Sequence, residues 1–312
     1  MVVERTSVFP TLDSTGPPLA EGVGPFPLPS FLGAWWEELR PGGELIVAER
    51  GDSALVLVDY GGLIEFAGDT DLTDYHSPLG NDVLGLCNEV AATLPTGSRL
   101  NLDSVPAEAA KLVEGALIAT GLATAVTEHE VAMVLELPAS VQAYYEMIGK
   151  KDRHELRRKR RRYQGEVGEV VVATDHGTGD EDFGIEEFIR LHRLSEGGKG
   201  SFMTPERERF FRRLARQPGW QVDYLAADGK ATACLFAWSD KDTYYLYNSS
   251  YDPQLKSASP GLVALAVVIE ASIAAGLRFF DFLKGGEAYK ARLGGRSHPL
   301  FRIEAVAGGR ND

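Results

Sequence analysis

The chain has 312 residues, 44% of them hydrophobic, 25% charged, with a net charge of −13. That is length enough for two globular domains with a core each, and a charge that excludes general attraction to nucleic acid or to an anionic membrane. Two cysteines, Cys87 and Cys234, are too few for a disulfide framework and lack metal-ligand spacing, which points to a reducing, cytoplasmic setting with no bound metal.

Met1 to Pro29 is rich in Pro and Gly and has no cationic start followed by an apolar run, so it does not read as a signal peptide. Residues 1–27 read as a flexible lead-in. A helix is expected from Ser30, a candidate N-cap, through Trp35, Trp36 and Leu39. Short β-prone runs at Glu44–Glu49, Ser53–Asp59 and Leu63–Phe66, separated by Arg50-Gly51-Asp52 and Gly61-Gly62, predict an antiparallel meander. Helices at 81–94 and 106–120 alternate with strands near 98–102 and 124–136, and Pro138 breaks the pattern, closing a first α/β unit at 28–137.

The second unit, 138–312, opens with a helical, strongly basic stretch from Ser140 to Gln164. A strand at Glu169–Ala173 and a Gly/Asp-rich loop at 175–184 follow. Helices are expected at 182–195 and 205–217, the latter behind Thr204-Pro205, a cap followed by a first-turn proline. Trp220–Ala227 and Lys230–Trp238, joined by Asp228-Gly229, predict a tight hairpin. Then come a strand at Thr243–Asn248, a polar loop, a helix at 260–276 closed by Gly276, a strand at Leu277–Leu283, a short helix near 286–293 and a last strand at 298–306. The longest apolar stretch, Leu262–Ala275, holds Glu270 and is too short to span a bilayer, so no integral membrane association is expected. The two units follow a similar order of elements, which suggests structural duplication without a residue-level repeat.

The chemistry concentrates between Thr243 and Arg292. A strand ends in Asn248-Ser249-Ser250, a loop passes Lys256 and Ser257, and a helix opens at Ser259-Pro260-Gly261. Ser259 can cap, Pro260 suits the first helical position, and Gly261 lets a ligand approach the backbone. Such a junction aims unpaired amides at one point, which suits a pyrophosphate, and Lys256 adds a charged donor. The plain alternative is a well-capped helix that binds nothing.

The run Phe279-Phe280-Asp281-Phe282-Leu283-Lys284-Gly285-Gly286-Glu287-Ala288-Tyr289-Lys290 resembles the signature of the BioF2-like or CelD-like acyltransferases, a GNAT superfamily branch related to the Fem peptidyltransferases. Gly24-Pro25-Phe26 leading to Ala34-Trp35-Trp36, Asp71-Leu72-Thr73-Asp74-Tyr75, Lys151 to Lys159, and Ser249-Ser250-Tyr251-Asp252-Pro253 with Ser259-Pro260-Gly261 fit the same family. The resemblance implies an α+β, tandem GNAT-like fold, with mostly antiparallel mixed sheets flanked by helices. It also implies acyl transfer to an amine, with acetyl-CoA or another acyl-CoA as co-substrate. The acceptor would be a small molecule or a cell-envelope or polysaccharide precursor. The loop Lys256 to Gly261 departs from the Gln/Arg-x-x-Gly-x-Gly/Ala pattern of ordinary GNAT enzymes. A Fem-like enzyme drawing on charged tRNA, or a non-catalytic binding module, is the alternative.

Direct attack by an amine needs a proton acceptor, donors for the oxyanion and a proton for the leaving thiolate. In the Fem relatives an aromatic–Lys pair sets an ammonium against the reacting carbonyl, and the matching pair is Tyr289-Lys290. Lys290 would then stabilise the oxyanion, Tyr251 or Tyr289 would protonate the leaving group, Asp281, in partly apolar surroundings, would be the base, and Glu287 would be a substrate-binding residue. Against this stand a structural Asp281 that accepts backbone N–H groups, a solvated Lys290, and a simple Glu287–Lys290 pair at helical spacing.

Between Lys150 and Arg162 nine Lys and Arg face Asp152 and Glu155, a local net of +7, which leaves −20 for the rest of the chain. Leu156 and Tyr163, seven apart, predict a thin apolar seam on a cationic helix. It reads either as a funnel for an anionic substrate, with Arg153 and Arg157 as substrate-binding residues, or as a solvated helix. The six histidines are scattered without metal spacing, and no nucleophile motif, P-loop or Rossmann fingerprint occurs.

Overall fold

The computed structural model describes residues 2–12, 16–177, 182–195 and 198–308, so part of the loop expected at 175–184 lies outside the described residues. In chain order the first elements are β1 (Val2–Thr6), α1 (Pro29–Leu39), β2 (Glu44–Arg50), β3 (Ser53–Asp59), β4 (Leu63–Phe66), α2 (Val83–Thr93), β5 (Arg99–Pro106), α3 (Ala107–Ala119) and β6 (Ala123–Glu136). Next are α4 (Val141–Met147), α5 (Lys150–Glu166), β7 (Val172–Asp175), α6 (Phe183–Leu194), α7 (Gly198–Phe202), α8 (Pro205–Ala215), β8 (Trp220–Ala227) and β9 (Lys230–Ser239). The last are β10 (Thr243–Tyr251), a 3₁₀ turn at Pro253–Ala258, α9 (Pro260–Ala274), β11 (Phe279–Lys284), α10 (Ala288–Arg292) and β12 (Arg296–Val306). The chain forms two compact units, residues 1–132 with 298–312, and residues 133–297.

In the first unit the strands run β1-β2-β3-β4-β5-β12-β6. β1 to β4 form antiparallel ladders, β4 lies parallel to β5, and β12 closes antiparallel on β5. The alternating apolar residues of the meander, with Trp35 and Phe31 of α1, make the core. Three expectations are corrected here. The lead-in supplies β1, fastened by Arg5 to Glu44 and Asp59 at 2.8 and 3.0 Å. The first helix starts at Pro29 behind Leu28, because proline pre-sets the first turn, and Ser30 is no cap. The last strand joins the first unit instead of finishing the second.

In the second unit the order is β6-β11-β10-β9-β8-β7. Asp228 and Gly229 both take positive φ, 51° and 74°, which gives the β8–β9 hairpin the turn twist its strands need. One layer buries Val263, Ala264, Val268 and Ile269 of α9 against Tyr244, Leu246, Phe280 and Phe282. Another cluster joins Phe188, Phe211, Trp220, Phe236 and Tyr247 at aromatic centroid spacings of 5.1–6.2 Å. The basic stretch is two helices, since Ile148 takes extended φ/ψ and Gly149 starts α5 afresh. Leu156 and Tyr163 are its buried seam.

Both units repeat one plan: an antiparallel ladder, then a helical crossover into a parallel strand, β4–α2–β5 in the first and β10–α9–β11 in the second. The architecture is α+β and tandem.

Candidate functional site

β10 and β11 are parallel, so the C-terminal ends of both strands and the start of α9 lie at one edge of the second unit, where open α/β sheets bind ligands. Their ladder has only three rungs, Thr243↔Phe279, Tyr244↔Phe280 and Tyr245↔Asp281. β10 runs on to Tyr251 paired with β9, and Tyr247 is a bulge between Leu246↔Ala237 and Asn248↔Phe236. Beyond Tyr245 the two strands therefore part and open a wedge. Asn248, just past the bulge, accepts the Ser249 N–H at 2.7 Å.

The start of α9 stands at this edge. Ser259 takes a left-handed conformation, φ 55° and ψ 50°, and its side chain makes no cap. The expectation of a Ser259 cap is thereby corrected. Its hydroxyl turns instead to the Lys159 ammonium, 2.5 Å away on α5. Pro260 has no N–H, and the amides of Gly261 and Leu262 are beyond any intrahelical acceptor, so two donors and a cation gather at one helix end. The ring of Tyr251 lies against Gly261, where an added Cβ would stand 3.4 Å from Cδ1. The counterpart helix of the first unit is closed: Asp82 caps α2 with its own carboxylate, accepting the Gly85 N–H at 3.0 Å. An anion is favoured at the start of α9 and opposed at the start of α2.

The signature run builds a turn. Leu283 (φ 61°) and Gly285 (φ 103°) are both left-handed. Asp281, 2% exposed, accepts the Leu283 N–H at 2.7 Å. Lys290, 3% exposed, donates to the carbonyls of Leu283, Lys284 and Gly285 at 3.3, 2.7 and 3.0 Å, and pairs with Glu287 at 2.9 Å. The ammonium has three protons for four acceptors. Lys290 is thus neither a solvated lysine nor a spare oxyanion donor; it clamps the loop that follows β11, while Asp281 clamps the same turn from the strand. Glu287 lies over Gly285, where a Cβ would come within 2.6 Å of its carboxylate. The Tyr289 ring meets Phe282 edge-on at 6.4 Å, and burial pushes its hydroxyl up to about 12, so it stays protonated at neutral pH. Neither Tyr289 nor Tyr251 has a hydrogen-bond partner for its hydroxyl among the described residues.

The structure gathers Ser259, Gly261 and Tyr251 at one end of the β10–α9–β11 unit, and Asp281, Glu287, Tyr289 and Lys290 around the turn after β11. Lys256 and Ser257 are exposed on the 3₁₀ turn, with Ser257 3.5 Å from Glu166. Arg153 donates to the Tyr145 carbonyl at 2.6 Å and Arg157 lies 5.6 Å over the Tyr145 ring, so both fold back onto α4. Sequence reasoning missed Lys159. The seam of Leu156 and Tyr163 was the available signal, because it fixes which face of α5 meets α9. Among the described residues no group of three or more His, Cys, Asp and Glu is set to hold a metal ion, and no helix is long and apolar enough to cross a membrane.

A wedge between parallel strands beside an uncapped helix start is the arrangement of a GNAT-type fold. Residues 150–291 match the family described as Acetyltransferase (GNAT) domain. Among solved structures it is similar to the C-terminal domain of a protein assigned as a lysylphosphatidylglycerol synthetase from Agrobacterium fabrum (14% identity, 85% of this chain and 83% of that one, TM-score 0.56). It is also similar to FemX (10% identity, 92% and 93%, TM-score 0.58) and to a conserved protein of unknown function from Bacteroides thetaiotaomicron (13%, 89% and 90%, TM-score 0.59). At these identities the likeness is one of fold. Comparison with curated protein sequences gives no significant match.

Proposed function

We propose that the chain is an N-acyltransferase that takes an acyl group from acyl-CoA and passes it to an amine. The observation that carries this reading is the uncapped start of α9, with Lys159 beside it, at the open end of the β10–β11 wedge. The donor's phosphates would meet the Gly261 and Leu262 amides and the Lys159 ammonium, and its thioester arm would enter the wedge toward the turn after β11. The amine nitrogen bonds to the acyl carbon, the C–S bond breaks, and the amine's proton leaves through water while the thiolate gains one. The Tyr289 or Tyr251 hydroxyl is the candidate donor of that proton. Asp281 and Lys290 are positioning residues that hold the turn on which Tyr289 is carried. The fold shared with FemX and with the lysylphosphatidylglycerol synthetase domain is consistent with acyl or aminoacyl transfer to an envelope precursor.

Isothermal titration with acetyl-CoA, longer acyl-CoAs and free CoA tests the donor. Binding is expected, and Lys159→Ala should weaken it about tenfold, as loss of one charge-assisted hydrogen bond does. Absence of binding to all three would overturn the acyl-CoA reading. A donor carried on RNA would instead show binding that weakens steeply with salt and depends on the exposed cations of α5.

A further inference from the structure

Lys151, Asp152, His154, Glu155 and Arg158 share one face of the first turns of α5, and with Arg292 at the end of α10 they line an open cleft of about 770 Å³. Its two walls are tied together. The buried Tyr144 of α4 donates its hydroxyl to the Leu293 carbonyl at 3.2 Å. Gly294 (φ 98°) packs so closely that a Cβ there would lie 3.1 Å from Leu135, 3.2 Å from Met147 and 3.5 Å from Ile148. The end of α10 is thereby fixed to the residues that lead into α5.

The charges in the cleft do not cancel locally. Glu155 is occupied: Arg158 grips it with two hydrogen bonds of 2.9 and 2.8 Å, and Lys159 is 3.6 Å away. Lys151 and Arg292 are exposed and, among the described residues, have no carboxylate at ion-pair distance. Asp152 likewise has no cationic partner there. What is left is two cations and one carboxylate around a single concave surface, in a protein whose net charge is −13. A polyanion would run its charge against Asp152, and a simple anion would gain nothing from it. A small molecule with charges of both signs satisfies all three groups.

We propose that this cleft binds a small zwitterion, an amine whose phosphate or carboxylate sits between Lys151 and Arg292 while its ammonium faces Asp152. Its role as the acyl acceptor rests on the acyltransferase reading above; its binding does not. The test is titration of the full chain with phosphoethanolamine and glycine, with inorganic phosphate and ethanolamine as the single-charge controls. Vesicles carrying phosphatidylethanolamine are the arm that separates a lipid headgroup from a free ligand. At least one zwitterion should bind more tightly than either single-charge control. Lys151→Glu and Arg292→Glu should each weaken that binding about tenfold, and Asp152→Asn should abolish the preference over the simple anion, with the thermal unfolding midpoint unchanged in each. Equal binding of zwitterion and simple anion, no effect of the three substitutions, or no binding by any arm would overturn the proposal. Intact zwitterion binding in a protein that binds no acyl-CoA would overturn the acyl-CoA reading and leave the cleft assignment standing.

Discussion

Asp281 and Lys290 are two of the four charges in the signature run, and both hydrogen-bond to one left-handed turn. A catalytic base and a positioning acceptor respond differently to small changes. Asp281→Asn keeps an oxygen for the Leu283 N–H and should cost less than about 1 kcal/mol, whereas Asp281→Ala orphans that buried amide at about 1–3 kcal/mol. Denaturant unfolding measures both. If Asp281 positions the turn, the asparagine variant keeps most of its turnover; a base would lose nearly all of it. Lys290→Met strands three carbonyls and should cost about 2–4 kcal/mol by the same measurement. The sequence marked these residues as special but not how, because i to i+2 and i to i+5 through i+7 contacts of this kind depend on two left-handed residues. Gly285 advertises that conformation, whereas Leu283 conceals it.

The elements themselves were largely legible. The meander at residues 44–66, the Asp228-Gly229 hairpin, the Thr204-Pro205 helix start and the long apolar helix all follow from turn chemistry and periodicity. What local pattern missed was decided elsewhere. β1 is five residues of mixed polarity, and only pairing with β2 makes it a strand. The break at Ile148-Gly149 was hidden by helix-favouring residues on both sides. The Lys159–Ser259 contact joins residues a hundred positions apart and exists because Leu156, 6% exposed, and Tyr163 dock α5 beside α9. Leu156→Ala should therefore destabilise the fold by about 2–5 kcal/mol, and it should also loosen donor binding as Lys159→Ala does, although Leu156 touches no ligand. Unfolding and titration on the same variant check the two effects together.

Across the whole molecule, stability should narrow at alkaline pH. Burial pushes the Cys87 thiol from 9.0 up to about 12, and burial with the charge of Glu287 raises Tyr289 from 10.0 to about 12. The folded chain then holds protons that the unfolded chain has already released, so this stability is complete below pH 9 and declines toward pH 12. On the acid side Arg158 and Arg212 hold Glu155 and Glu186 below the usual carboxylate value of 4.5. Their contribution is present above that value and fades as pH falls through it, and it is small because both pairs are solvent-exposed. Denaturant midpoints recorded across the alkaline window should fall, and a flat profile there would contradict the burial of these groups. Nothing in the sequence of β12 itself says that it will pair with β5.

The return of β12 to β5 has a consequence for how the protein is made. Residues 296–306 complete a ladder with residues 99–106, so the partner of β5 leaves the ribosome only after the entire 133–297 unit. Until then the nascent first unit carries an unpaired strand edge, the kind of surface that recruits chaperones or sticks to other chains. A chain truncated before residue 296 should emerge largely insoluble, and supplying the missing strand as a separate peptide during synthesis should recover part of it.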